Sequence, residues 1–70
     1  MEKPAYVTAN GSRIEGTFPC SLAAFLRSRD LLPRSVVVEL NCDAVAPSEF
    51  EARILQAGDA LEIVKIVAGG

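Results

Sequence analysis

Apolar and polar residues alternate along the first part of the chain, and this pattern predicts a β-hairpin. Residues 5–9 and 12–18 alternate with a period of two, which is typical of half-buried strands. Asn10 and Gly11 lie between the two segments, and both tolerate the positive φ that a type I′ turn requires. The expected core-facing residues are Ala5, Val7, Ala9, Ile14, Gly16 and Phe18. The sequence therefore predicts two antiparallel strands joined by a two-residue turn.

The hydrophobic period then changes from two to that of a helix, over residues 22–29. Ser21 stands directly before the first apolar position, and serine is a favoured N-cap because its hydroxyl accepts from a free N–H of the first turn. Pro33 prevents any continuation of the helix. The apolar stripe consists of Leu22, Phe25 and Leu26. Its spacing predicts a short helix with one face against a sheet.

Two further strands are expected in the second half of the chain, at residues 36–41 and 60–67. A turn at residues 41–43, an extended piece at 44–46, a helical turn from Pro47 and a turn around Gly58 separate them. The expected core-facing residues of the two strands are Val36, Val38, Leu40, Leu61 and Ile63. Those expected on the opposite face are Val37, Glu39, Glu62, Val64 and Ile66.

The order of hairpin, helix, strand, helical turn and strand predicts a two-layer α+β domain, because one helix covers only one face of a sheet. The first and last strands are expected to be neighbours near the centre. With 70 residues there is room for one small domain, residues 1–70.

Composition narrows the range of functions. Seven Lys and Arg against nine Asp and Glu leave a net charge of -2, so no basic field is available for nucleic acid. The longest apolar run, residues 22–26, is far below the roughly 20 residues that span a bilayer, and no secretory leader is recognisable. We expect a cytoplasmic protein with no nucleic-acid or membrane partner.

Few residues in the chain suit catalysis or metal binding. There is no His, and Cys20 and Cys42 form neither a C-x-x-C pair nor a metal-type cluster. We expect both cysteines to be reduced and mostly buried, although a position before a helix N-terminus favours a thiolate at Cys20. Glu49 and Glu51 are the nearest carboxylate pair, and they are most simply explained as solvated surface charges. The sequence therefore predicts neither a metal site nor an enzyme.

The last residues are unusual, because two glycines follow an apolar strand without a polar spacer. Gly has no Cβ, so Gly69 and Gly70 suit a tail that enters a narrow active-site channel. A frayed terminus without a function is the alternative.

The tail and its setting resemble a known family. Leu55 and Gly58-Asp59, the strand from Leu61 to Val67 and the end Val67-Ala68-Gly69-Gly70 follow an Asn-Gly hairpin and one helix. Together they resemble the sulfur carrier proteins of thiamine biosynthesis, the ThiS family, over essentially all 70 residues. The resemblance implies a ubiquitin-like β-grasp fold, with a mixed sheet of four to five strands packed on one helix. It also implies a flexible tail at residues 67–70.

The resemblance also implies the chemistry. An E1-like, ThiF-like adenylyltransferase would use ATP and Mg to adenylate the Gly70 carboxylate, and the carrier itself would bind no cofactor. A sulfur donor, such as a cysteine desulfurase or a persulfide protein, would convert the adenylate to a thiocarboxylate. A ThiG-like thiazole synthase would then accept the sulfur, with Val67, Ala68, Gly69 and Gly70 threading into the partner's active site.

A docking patch for these partners is expected on the sheet face away from the helix. It consists of Val37, Val64 and Ile66, edged by Glu39 and Glu62. Ordinary exposed strand hydrophobicity is the alternative explanation.

Two alternative functions also stay open. One is the small subunit of molybdopterin synthase, which often has paired prolines where this chain has Ile63 to Ile66. The other is a ubiquitin-like interaction module or protein modifier.

Overall fold

The computed structural model describes residues 5–67. Its strands are β1 (Tyr6–Ala9), β2 (Ser12–Glu15), β3 (Cys20–Ser21), β4 (Val36–Leu40), β5 (Asp43–Val45), β6 (Ile54–Leu55) and β7 (Ala60–Lys65). The helix α1 covers Leu22–Ser28, and two single-turn 3₁₀ helices cover Pro33–Ser35 and Pro47–Glu49. The prediction of a single domain over residues 1–70 stays a prediction, because it includes residues outside this range.

Five strands form one mixed sheet in the order β2-β1-β7-β4-β5. β1 and β7 are parallel, and the other three pairs of neighbours are antiparallel. The first and last strands of the chain therefore lie side by side at the centre. The predicted α+β fold, a mixed sheet of the ubiquitin-like β-grasp type with one helix, is confirmed.

Helix α1 begins where its N-cap predicts. The Ala24 N–H donates to the Ser21 hydroxyl at 3.0 Å, which satisfies one of the free donors of the first turn. The helix ends at Ser28, one residue earlier than predicted, and Asp30 follows in the left-handed region at φ 59°. There the Leu31 N–H donates back to the Leu26 carbonyl at 2.9 Å, which closes the helix end.

A second, two-stranded sheet of β3 and β6 lies beside the helix and was not predicted. It continues into the first turn of α1, where the Leu22 N–H donates to the Arg53 carbonyl at 2.8 Å. The Ala23 N–H likewise donates to the Phe50 carbonyl at 2.9 Å. The segment that leads into β6 therefore supplies acceptors for helix donors that have no partner within the helix.

Strand β2 is shorter than predicted, ending at Glu15 instead of residue 18. The Gly16 N–H still donates to the Ala5 carbonyl at 3.2 Å, but Gly16 itself is exposed and does not face the core. The chain then leaves the sheet edge, and the Phe18 ring packs on the Phe25 ring with centroids 6.3 Å apart. The segment after β2 thus packs on the helix through Phe18 instead of continuing the strand.

The core lies between the sheet and α1 and contains the predicted helix stripe and most of the predicted strand residues. The exceptions are Ala5, Ile14, Phe18 and Ile63, which are partly buried, and Gly16, which is exposed. No polar or charged residue is buried among the described residues. The buried residues are Val7, Ala9, Leu22, Ala23, Phe25, Leu26, Val36, Val38, Leu40, Val45, Phe50, Leu55 and Leu61. The alternation of β4 and β7 therefore places the core as predicted, with Ile63 only partly buried.

Two hairpin turns carry asparagines whose side chains bind the backbone at β7. The Asn10 side chain donates to the Ile63 carbonyl at 2.9 Å and accepts from the Ile63 N–H at 2.7 Å. The Asn41 side chain accepts from the Ala60 N–H at 3.0 Å and donates to Asp59 at 3.2 Å. Both asparagines have positive φ, at 51° and 50°. The two turns thus hold the central strand from both sides.

Candidate docking face and tail

The face of the sheet that turns away from α1 carries the predicted docking patch, Val37, Val64 and Ile66. Val37 on β4 lies directly opposite Val64 on β7, so the two side chains form a cross-strand pair. Their exposed fractions are 52% and 62%, and that of Ile66 is 55%. The structure therefore brings the three residues to one exposed region of the surface.

Ile66 extends this patch beyond the end of β7. Its N–H donates to the Ser35 carbonyl at 2.8 Å, so the chain stays attached to the neighbouring segment for one more residue. This bond fixes the backbone immediately before the tail. The position from which the tail leaves the domain is therefore set by the same pair of segments that carries the patch.

Glu39 and Glu62 lie directly opposite each other, two register positions from the Val37 and Val64 pair and therefore next to it on the same face. Both side chains are exposed, on the same face as the patch. Like charges in directly opposed positions weaken a sheet slightly. The predicted acidic border of the patch is thus present, and it comes at a small cost to stability.

Two further exposed apolar side chains, Leu32 and Val67, lie next to the predicted patch. Leu32 is 59% exposed and lines the same surface cleft as Ile66. It was missed because it lies in a loop, where no periodicity distinguishes a core residue from an exposed one. Val67 is 85% exposed. The apolar surface therefore continues from the patch to the start of the tail.

The predicted reactive tail falls mostly on residues that the structure does not describe. Ala68, Gly69 and Gly70 lie outside the described residues, and so does the site predicted for modification. Val67, the first residue predicted for threading, is exposed at the end of the described range. It directly follows Ile66, whose backbone is hydrogen-bonded to Ser35, and this marks where the tail begins.

The surroundings of Cys20 do not activate its thiol. Both cysteines are free, Cys20 half-buried and Cys42 exposed. Burial raises the pKa of the Cys20 thiol, which is opposite to the thiolate expected from its place before the helix. The expectation that both are mostly buried is wrong for Cys42, which occupies a hairpin turn at φ 71°.

The described residues were also compared with the requirements of a metal site and of a membrane-spanning helix. Among residues 5–67, no three His, Cys, Asp or Glu side chains lie close enough together to hold a metal ion. Within the same range, no helix is long and apolar enough to cross a membrane. Glu49 pairs with Arg53 and Glu51 with Arg27, at 3.9 Å and 3.2 Å, as exposed surface ion pairs.

Comparisons with known proteins agree with this architecture. The model of the ThiS family matches residues 7–70. A crystal structure of the thiamine biosynthesis protein ThiS from Geobacter metallireducens aligns with a TM-score of 0.77 and 26% identity, covering 93% of this chain and 99% of that one. A solution structure of a thiamine biosynthesis protein from the same organism aligns with a TM-score of 0.76 and 26% identity, covering 93% and 87% of the two chains. No curated protein sequence matches significantly.

Proposed function

Because the chain belongs to the ThiS family, we propose that Gly70 carries sulfur as a thiocarboxylate for thiamine biosynthesis. The family and its structural neighbours support a sulfur-carrier role in that pathway. The observation that carries the finer proposal is that the family match extends through residue 70, which includes both terminal glycines.

The proposed chemistry begins at the terminal carboxylate. A carboxylate is ionised at neutral pH and is a poor electrophile, so it needs activation before sulfur attacks it. An E1-like adenylating enzyme would use ATP and Mg to join the Gly70 carboxylate to AMP, with release of pyrophosphate. A sulfur donor, such as a cysteine desulfurase or a persulfide protein, would then attack the carbonyl carbon through its persulfide and displace AMP, which gives an acyl disulfide. A second thiol would cleave this S–S bond, leaving a thiocarboxylate on Gly70 and a disulfide between that thiol and the donor. A thiazole synthase would take the sulfur.

The carrier's own contribution would be to present its tail and bind its partners. Gly69 and Gly70 have no Cβ, so they form the thinnest chain that can enter a closed active site. Val37, Val64 and Ile66 would dock on the partner beside the tail, with Glu39 and Glu62 at the border. In this proposal catalytic groups and metal belong to the partners, and the carrier binds no cofactor. Because the activation consumes ATP, the proposal places the protein in the cytoplasm.

Two other functions are weighed against this one. A molybdopterin synthase small subunit would use the same tail chemistry with a different acceptor enzyme, and the family match favours the thiamine pathway. A ubiquitin-like interaction module would bind its partner through the sheet and would function without Gly69 and Gly70. Removal of the terminal glycines therefore separates the module from both carriers.

Top-down mass spectrometry tests the proposal. The protein is incubated with the adenylating enzyme, ATP, Mg and a sulfur donor, beside a variant that lacks Gly70. Replacement of one carboxylate oxygen by sulfur should appear at Gly70 and be absent from the truncated variant. Fragmentation is needed because oxidation of Met1, Cys20 or Cys42 gives the same nominal mass gain. If the enzymes of neither pathway change the mass at Gly70, the proposal is wrong.

A further inference from the structure

A groove opens between the end of α1 and the inner face of the sheet, on the side opposite Val37 and Val64, and it ends near Ile66 at the edge of the docking patch. The helix has seven residues and is therefore about 10 Å long, which is too short to cover the inner face of five strands. Ile14 and Ile63 face inward beyond its end and are only partly buried. The cleft that results has a volume of about 520 Å³, and Phe25 and Leu31 complete its apolar floor.

Three cationic side chains line this cleft. Lys65 takes the third inward position of β7, after Leu61 and Ile63, where the alternation would otherwise place another apolar residue. Arg29 reaches the cleft from the C-cap of α1. Arg13 lines the cleft as well, but its guanidinium already contacts the Tyr6 ring as a cation–π pair, 3.9 Å from the ring centre. No acidic residue belongs to the described lining of this cleft.

Neither Arg29 nor Lys65 takes part in an ion pair within residues 5–67. The two described ion pairs use Arg27 and Arg53 instead. The chain has a net charge of -2, whereas these two cations give the cleft a local positive charge. The charge of the cleft thus favours a negatively charged occupant.

The cleft continues toward the tail. A second cleft, of about 220 Å³, shares Leu31 and Lys65 with the first and reaches Leu32 and Ile66. Asp30 lines this second part and is its one described carboxylate. The two clefts together form an elongated depression that leads to the residue before the tail. Such a shape suits a segment of polypeptide more than a compact small molecule.

We propose that this basic groove, defined by Ile14, Ile63, Leu31, Arg29 and Lys65, binds an acidic segment of the protein partner that handles the tail. An apolar side chain of that segment would pack on Ile14, Leu31 and Ile63, and its carboxylates would pair with Arg29 and Lys65. The inference rests on the proposed function for the identity of the partner. It adds a second contact surface, so that partners would hold the carrier on both sides of the tail.

Binding measurements with paired charge-reversal variants test the groove. The carrier with Arg29→Glu and Lys65→Glu is compared with a control carrying Arg27→Glu and Arg53→Glu, which lie outside the groove. Each substitution changes the charge by two units, so both pairs change the net charge equally. Dissociation constants are measured for the cognate adenylating enzyme and for thiazole synthase, each at low and high salt.

The groove pair should weaken binding to at least one enzyme by about tenfold or more at low salt, while the control pair changes it by about twofold or less. Binding to the wild type should also shift the amide resonances of Ile14, Leu31 and Ile63. The milder pair, Arg29→Gln and Lys65→Gln, should weaken binding in the same direction. Thermal unfolding of each variant confirms that it is folded.

Three results would contradict the proposal that the groove binds an acidic segment of a partner. Equal weakening by both reversed pairs would mean that only net charge matters. Unchanged binding of the groove pair to both enzymes would remove the groove and leave the proposed function intact, provided that Gly70 is still modified. Failure of the wild type to bind either enzyme would overturn the groove and the proposed function together.

Discussion

The two faces of β4 and β7 carry similar apolar residues that differ strongly in burial. On the inner face Val38 is 0% exposed, whereas its neighbour Val37 on the outer face is 52% exposed. The same contrast separates Leu61 from Val64, at 1% and 62%. Burial of a valine or leucine side chain stabilises a fold by about 1.5–3 kcal/mol, and an exposed one contributes little. The inner face therefore accounts for stability, while the outer face retains its apolar residues without that benefit.

The largest expected effect comes from the inner face. Leu61→Ala should lower the free energy of unfolding by about 2–5 kcal/mol, because it removes buried methyl groups and leaves a cavity beside the helix. Urea denaturation followed by circular dichroism measures it. Val64→Ala on the outer face of the same strand is the control, with an expected loss of about 0.5 kcal/mol or less. Equal losses would mean that the two faces do not differ as described.

Loss of the hydrogen bonds between the Asn10 side chain and the Ile63 backbone should have the next largest effect on the unfolding free energy. Asn10→Ala removes both hydrogen bonds to Ile63 and should cost about 1–2 kcal/mol of unfolding free energy. Asn10→Asp keeps the acceptor for the Ile63 N–H and should cost less. A cost for Asn10→Asp as large as that for Asn10→Ala would show that the acceptor contributes nothing.

A stabilising substitution is expected at the second hairpin. Cys42 holds φ at 71°, a region that costs a side chain with a Cβ about 1 kcal/mol or more and costs glycine little. Cys42→Gly should therefore raise the unfolding free energy by about 0.5–1 kcal/mol, and the midpoint of urea denaturation should rise. Cys42→Ala keeps the Cβ and should change stability little. Destabilisation by glycine would contradict the turn geometry.

The outer face should tolerate polar substitution. Val37→Thr with Val64→Thr keeps β-branched shapes on the strands and should change the unfolding free energy by about 0.5 kcal/mol or less in total. The matched inner pair, Val38→Thr with Leu61→Thr, should lose several times more, because each buried hydroxyl lacks a partner. A large loss from the outer pair would mean that Val37 and Val64 serve the fold.

The smallest effect concerns pH. Burial raises the pKa of the Cys20 thiol, so the folded protein keeps this proton to higher pH than the unfolded chain does. The stability that results is fully present below the pKa of the unfolded thiol, about 8.5, and is lost as pH rises from there through the folded pKa. Urea denaturation at several alkaline pH values should show a shallower decline for Cys20→Ala. Parallel declines would contradict the assignment.

The sequence predicts those parts of the fold that have a periodic pattern or a specific turn residue. The alternation in β4 and β7, the stripe on α1 and the Ser21 cap all appear as expected. The small sheet of β3 and β6 could not be predicted, because a strand of two residues has no period. Cys42 in a positive-φ turn gives no signal either, because cysteine is not a typical turn residue.

Some features of the candidate site were also predictable from the sequence, and others were not. The exposure of Val37, Val64 and Ile66 follows from alternation and was predicted, because each lies on a strand or directly after one. The groove was not predicted, because it depends on how far α1 extends over the sheet, which is a tertiary feature. The role proposed for Gly70 comes from the resemblance to the family, and residue 70 lies outside the described residues.

The most direct test of the central claim, that the tail reacts while the outer face docks, is ATP–pyrophosphate exchange catalysed by the adenylating enzyme. Three carriers are compared: the wild type, a chain ending at Gly69, and the Val37→Thr, Val64→Thr pair. The chain ending at Gly69 should support no exchange although it still binds the enzyme. The valine pair should raise KM about tenfold and leave kcat nearly unchanged, because only docking is weakened. Exchange with the truncated chain, or an unchanged KM for the valine pair, would contradict the account.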